Sequence, residues 1–476
     1  MKKMFFAALA ATMMFASCNK EDINGSNESQ EVGEATTMGL VFSLPTVDGA
    51  RALGIDGTEV NATTSESTVS SITVFAFKAD GTVAEGNNTR LDPNADFSLA
   101  GGFYTLNETS RIETTTATRM IYVVANYSAV ADADVDTDAK LRALLATWNA
   151  AGQTWVIPAT GMVMSTPRTP VSLVPQLVNE MPTASDNVIT AKLERVSSKV
   201  VVTSTGSTLT FSQTLSQVDA VSPFSISYTL QSWATGLANT EANLIKQTVN
   251  GKLVTPNANR TGHPGAASDF VAVNLGSVAS NWTLSAVNAK YVGENISANN
   301  KAGEVTYVMV RAKASPNQQA VINSSNNVEW VPANSDLNLG FWVVWNNTVG
   351  YEGMYFCKDE ATADAVKAKL VGTNFTKLEY KGGLIYFMVS LNSDKSDKSV
   401  IHRNQFIHVD ITGIADDVFI GMPGKGTDGT TPPDPDDPEN PDPWNPEEPE
   451  DETTAYLRVS VNVSPWLYSG SSVELK

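Results

Sequence analysis

The residues whose type and spacing can do chemistry fall in few places. Met1-Lys2-Lys3 leads into an apolar run from Met4 to Phe15 and then Ala16-Ser17-Cys18. A basic start, a short apolar stretch and small residues before a cysteine read as an export signal ending in a lipobox, in which the Cys18 thiol is acylated. The run is too short to span a bilayer. Arg51 lies in Asp48–Gly54, between polar stretches, so the Arg51–Ala52 bond is open to a trypsin-like protease. Asp132, Asp134 and Asp136 stand at the first, third and fifth positions of a calcium loop. Thr137 stands where that loop needs Gly, and Ala143 where it needs a bidentate Glu, so the segment reads as a loop and cap to a following helix. Gly424, Gly426 and Gly429 match a dinucleotide fingerprint by letter but lead into prolines rather than a helix.

His402 and His408, if they share one strand face, stand about 20 Å apart, too far to hold one metal. There is no zincin helix, nucleophile elbow or P-loop. The chain reads as a non-enzyme with no catalytic residues, no cofactor and no metal site. Trp342 and Trp345 fall on opposite faces of a strand, and serve a core better than a sugar platform.

The chain has 476 residues and a net charge of −19, which argues against nucleic acid and anionic membranes as partners. Residues 432–452 hold ten of the Asp and Glu and no Lys or Arg, so −19 less those ten charges leaves −9 for the rest. Cys18 and Cys357 are the two cysteines; with Cys18 acylated no intramolecular disulfide forms, and Cys357 reads as a small buried apolar residue.

The elements that must position these residues are strands. Met38, Leu40, Phe42 and Leu44 alternate along one face. Ser71–Phe77 runs to a turn signal at Asp80-Gly81, and Met120–Asn126 is apolar on both faces, as a central strand is. The spacing of Leu141, Leu144, Leu145 and Trp148 predicts a helix over 138–148, and a shorter one covers 361–370. Further strands are expected at 188–193, 199–202, 224–230, 305–312, 339–345, 384–391 and 406–412. The fold class is all-β, with short helices and two β-sandwich bodies, at 52–205 and 206–422. The remaining divisions are a signal segment 1–18, a propeptide 19–51, an acidic proline-rich linker 423–454 and a C-terminal strand within 455–476.

That last strand is the oddest feature. Leu457, Val459, Val461 and Val463 form one stripe ahead of Pro465 and Trp466, with no hairpin neighbour in sequence. A lone strand is not stable in water, so it must join a sheet of its own body or of another molecule. The linker residues 432–452, extended as polyproline, reach up to about 65 Å, and their stiffness disfavours folding back. A strand upstream of Arg51, a cleavable Arg51–Ala52 bond and a tethered terminal strand together describe strand replacement: cutting frees Met38–Leu44, and the terminal strand of another copy fills the groove by β-augmentation. A groove and a donor at different sites give head-to-tail filaments.

At these residues the chain resembles the fimbrial shaft subunits of the Bacteroidales type V pilus, and looks closest to the Mfa-type fimbrilins of the Porphyromonas short fimbriae. The resemblance is carried by Phe15–Cys18, by Met38–Pro45 followed by Ala50-Arg51-Ala52, and by Tyr307–Lys313. It continues through Arg403-Asn404 with Phe406–His408, the Asp/Glu-Pro linker, and Val459–Trp466 with Val473–Leu475. Asn19–Asp22 resembles the acidic surface-export signals of Bacteroidetes lipoproteins. The resemblance implies two transthyretin-like sandwiches, an outer-membrane lipoprotein precursor acylated at Cys18, cleavage after Arg51 by an Arg-specific surface protease, and a donor strand at 455–475. The expected partners are identical subunits and accessory, tip and anchor fimbrilins, in a cell-surface fimbria that supports adhesion and biofilm formation. The alternatives are an accessory or tip fimbrilin and a surface glycan-binding lipoprotein.

Overall fold

The computed structural model describes residues 33–44, 64–100, 103–128, 130–147, 150–151, 154–155, 157–176, 187–213, 224–250, 252–256, 259–275, 288–297, 301–346, 353–370, 374–391, 400–414, 421–437 and 457–465. Alternation of large apolar and polar residues makes nearly all of the elements strands. Six of them frame a first sandwich: β1 (Ala35–Ser43), β2 (Ile72–Lys78), β3 (Phe103–Leu106), β4 (Ile112–Thr115), β5 (Ala117–Ala125) and β6 (Val188–Lys192). Six more frame a second: β7 (Ser197–Ser204), β8 (Phe224–Gly236), β9 (Tyr307–Pro316), β10 (Leu384–Ser390), β11 (Gln405–Ile414) and β12 (Leu457–Pro465).

In the first sandwich, one sheet places β1 between β6 on one side and β3 and β4 on the other. The facing sheet is built on β5, which pairs with β2 from Ile72↔Ala125 to Lys78↔Arg119 and with the strands Met164–Ser165 and Thr169–Leu173. Val74, Ala76, Ile121 and Val123 from that sheet meet Met38, Leu40, Phe42, Ile189 and Ala191 in one core. The central position expected for Met120–Asn126 is therefore found, and Gly81 takes φ +86° at the turn expected there.

The second sandwich faces a sheet ordered through β7, β11 and β12 against one ordered through β8, β9 and β10. Val200, Val202, Ile407, Val409 and Ile411 pack there against Tyr228, Trp233, Val308 and Val310. An annex of Gly340–Asn346, Met354–Cys357 and Phe375–Lys381 lies under the helix Glu360–Lys369. Cys357 is fully buried there, and burial pushes its thiol up to about 12, so it is an inert thiol. Trp345 faces the main core, while Trp342 lies half-buried beneath Lys377 Nζ, 4.8 Å from its ring centroid.

Several expectations are corrected. The helix predicted over 138–148 stops at Ala143, because Leu145–Thr147 pairs instead with Glu241–Asn243 of the second sandwich. The Asp-rich segment before it does act as a cap, Thr137 Oγ1 accepting from Lys140 N at 3.2 Å. Strand β7, counted within 52–205, belongs to the second sandwich, where it runs parallel to β11 from Lys199↔Phe406 to Ser204↔Ile411. Part of the linker is not solvated: Pro432, Pro433 and Pro435 are buried against the body. The terminal strand, for which the sequence leaves open its own body or another molecule, pairs antiparallel with β11 of the same chain from Gln405↔Pro465 to Ile414↔Leu457. The root of the linker itself lies on the second sandwich. The remainder of the ladder, 438–456, lies outside the described residues, as do Cys18, Arg51, Ala52 and Trp466.

Candidate assembly site

Strand β1 is the structural centre of its sheet. Gly39 to Ser43 run parallel to Val188 to Lys192 of β6, Val41 to Ser43 run antiparallel to β3, and Ala35 to Met38 run antiparallel to β4. Met38, Leu40, Phe42 and Leu44 are each at most 1% exposed. Phe42 stacks on Tyr104 at 4.6 Å and meets Phe97 edge-on at 5.1 Å. Burying four such side chains is worth roughly 6–12 kcal/mol before ladder bonds. Taking β1 away would leave a slot one strand wide through the middle of the sheet, lined by that apolar floor and by two unpaired edges.

The mouth of the slot carries a polar clamp that sequence reasoning missed. Asn187 Nδ2 donates to Thr36 Oγ1 (3.1 Å), Thr37 O (3.0 Å) and Val174 O (2.8 Å), and its Oδ1 accepts from Val174 N at 2.8 Å. Thr36, Thr37 and Asn187 are fully buried. A single Asn ahead of a strand gives no sequence signal for this role, because its partners on β1, Thr36 and Thr37, lie 151 and 150 residues upstream.

Downstream of Arg51, from Thr64 on, the chain is pinned. Glu66, on the short helix Thr64–Ser67, is fully buried and accepts from Lys199 Nζ at 2.8 Å and Tyr291 OH at 2.5 Å. Arg195 Nε donates to Glu66 O at 2.9 Å, and its Nη1 reaches Asn404 Oδ1 at 3.2 Å. Burial lowers the Lys199 ammonium, and the Glu66 carboxylate opposes that. Arg403 completes the seam between the sandwiches. It grips both oxygens of Glu294 (Nε–Oε1 2.7 Å, Nη2–Oε2 2.6 Å) and donates to Ser165 Oγ of the first sandwich at 3.1 Å. A bidentate, fully desolvated pair of this kind fixes geometry more than it adds stability. The two sandwiches are thus sewn by charges that no break upstream of Thr64 disturbs.

The terminal strand has its own seat. Leu457 is 3% exposed and joins the second core, with Val459 packed partly against it. Val461 and Val463 stand opposite Val409 and Ile407 in the ladder. The structure therefore brings the donor candidates to β11 and the plug candidates to β1, on different sandwiches. His408 lies on β11, 2% exposed, 2.7 Å from Thr203 Oγ1, and burial lowers its pKa. It is a core residue, whereas His402 is half-buried and accepts at its backbone oxygen from Ser198 Oγ at 2.5 Å.

Comparison with known proteins adds the following. Residues 38–222 match the family model described as major fimbrial subunit protein (FimA), starting at the first inward residue of the β1 stripe. No curated protein sequence matches. Among solved structures, a fimbrilin (FimA) from Porphyromonas gingivalis W83 is similar at 16% identity, over 91% of this chain and 98% of that one, with TM-score 0.44. The tip fimbrial protein Mfa3 from Porphyromonas gingivalis, truncated at its C-terminus, is similar at 12% identity over 90% and 100%, with TM-score 0.39. A fimbrial assembly protein from Parabacteroides distasonis is similar at 14% identity over 63% and 97%, with TM-score 0.31.

Proposed function

We propose that this chain, whose residues 38–222 match the family model described as major fimbrial subunit protein (FimA), is the shaft subunit of a cell-surface fimbria and polymerises by exchanging strands. Subunits of that family are structural and adhesive proteins rather than enzymes. On this reading the precursor is exported as a lipoprotein acylated at Cys18. An Arg-specific protease cuts between Arg51 and Ala52, and β1 leaves with the lipid. The terminal strand of a second subunit then occupies the vacated slot.

The observation that carries the proposal is the position of β1. A strand from the chain's upstream end, separated from the body by the Arg51 region, fills the middle of a sheet rather than an edge. Losing an edge strand would leave a sheet intact; losing this one leaves a gap that a nine-residue strand fits, and β12 is also nine residues long. Inward residues Met38, Leu40, Phe42 and Leu44 would give way to Leu457, Val459, Val461 and Val463. Withdrawing Leu457 from its own core costs about 1.5–3 kcal/mol, which the burial of a whole stripe in the slot offsets. The anchoring of Glu66 supports the same reading, since it holds the new N-terminal region to the seam while the upstream piece departs.

A second reading is favoured by one observation. The pairing of β12 with β11 in its own chain suits an accessory or tip fimbrilin that accepts a strand and keeps its tail at home. The two are separated by treating the purified precursor with an Arg-specific protease and running the product unheated in SDS. The shaft reading expects ladders that vanish when 455–476 are deleted; cleaved protein that stays monomeric with its tail intact refutes it.

A further inference from the structure

The root of the proline linker meets the second sandwich at a group of side chains that sequence spacing did not join. His263, Asp434 and Asp436 bring one imidazole nitrogen and two carboxylate oxygens within 4.8 Å of one another. His263 Nε2 and Asp436 Oδ2 are 3.5 Å apart. Tetrahedral zinc with bonds of about 2.0–2.2 Å sets neighbouring ligand atoms about 3.3–3.6 Å apart, so this pair already spans one edge of such a site. The other ring nitrogen of His263 lies 2.7 Å from the hydroxyl of Tyr307, a side chain 1% exposed. When Nδ1–H donates to that hydroxyl, the lone pair of Nε2 points outward to the carboxylates. That outer partner is what orients a metal-binding histidine.

The carboxylates are held as well. Pro433 and Pro435 are buried against the body, while Asp434 and Asp436 alternate with them and are exposed. Asp434 to Asp437 form a turn in which Asp437 N donates to Asp434 O at 3.1 Å and Asp436 N to Asp434 Oδ1 at 3.2 Å, and the ring of Pro435 fixes a backbone torsion within it, so the two carboxylates are held close together without loss of much chain freedom. The Lys425–Asp437 ion pair closes the segment behind them.

We propose that His263, Asp434 and Asp436 form a site for a borderline divalent cation of the zinc class, with water completing the coordination, and that the bound ion clamps the linker root to the second sandwich. One nitrogen and two oxygens with room for water suit such an ion better than calcium, which takes six to eight oxygens. This inference does not depend on strand exchange.

The test uses the full-length precursor without a histidine tag, dialysed against zinc chloride in a competing weak chelator. One tightly bound zinc per chain is expected in the wild type and none in His263→Ala or Asp436→Asn, both checked for native circular dichroism. Tyr307→Phe should retain the site with affinity about 10–100-fold weaker. Zinc should also slow tryptic cleavage after the exposed Lys425 in the wild type and not in the two ligand variants. No bound zinc in the wild type, or equal stoichiometry in His263→Ala and Asp436→Asn, overturns the proposal.

Discussion

Phe42→Ala separates a permanent strand from a removable one. Phe42 is fully buried, stacked on Tyr104 and edge-on to Phe97. Truncating a buried Phe to Ala costs about 3–5 kcal/mol, as lost transfer energy plus the cavity left behind. In a sandwich of this size, each kcal/mol lowers Tm by about 2–4 °C, so the first sandwich of the precursor should melt about 6–20 °C lower. Calorimetry on the uncut precursor reads that loss. The same variant, cut after Arg51 and assembled, no longer contains residue 42, so its polymer should melt with the wild-type polymer. A polymer destabilised as much as the precursor means that β1 stays in the sheet, and the strand-exchange reasoning fails. A precursor with unchanged Tm would mean that the packing around Phe42 is not as described.

Arg51→Ala should leave the precursor monomeric after treatment with an Arg-specific protease, read by N-terminal sequencing and unheated SDS gels; ladders from this variant would place the cut elsewhere. Arg403→Ala leaves Glu294 buried without its cation, and should cost about 3–5 kcal/mol, read as a lowered denaturation midpoint; a loss under 1 kcal/mol would mean that water reaches the seam. Asn187→Ala removes three donations to Thr36, Thr37 and Val174 and should lower precursor stability by about 1–3 kcal/mol. For His408, burial holds the folded pKa below the unfolded value of 6.5, so the unfolded chain binds the proton more readily. Its contribution to stability is therefore present above about pH 6.5 and lost as pH falls from there towards the folded pKa. Denaturation midpoints measured from pH 7.5 to 5 should show that fall, and His408→Gln should flatten it.

Much of this was legible in sequence because alternation reports directly on which face of a strand is buried. The stripes Met38–Leu44 and Leu457–Val463 announced themselves, and so did the doubly apolar Met120–Asn126. What could not be read was the choice of partner. Leu144 and Leu145 have helical spacing, yet Leu145–Thr147 pairs with a strand almost a hundred residues later. Local propensity is a weak prior against such a tertiary claim. Strand β7 looks like the end of the first body because it follows β6 closely, but its parallel partner β11 lies two hundred residues on. The linker root reads as solvated because nothing in the proline ladder says that Tyr386 OH waits within 3.1 Å of the carbonyls of Gly429 and Thr430. The sewing charges Glu66, Arg195 and Glu294 carry no motif, and the Arg403-Asn404 pair says nothing of Glu294, since each charge is matched with a partner far away in sequence.

The berth of β12 on β11 bears on the last subunit of a filament. On the proposed strand exchange, an internal subunit that lends its tail to a neighbour would uncover the outer backbone of β11 along the nine residues that β12 pairs with. The subunit at the end would have no neighbour to lend to, and could keep that backbone sheathed with its own tail. Such an end would be blunt and would offer no raw strand edge to stray chains until a cut recipient arrives.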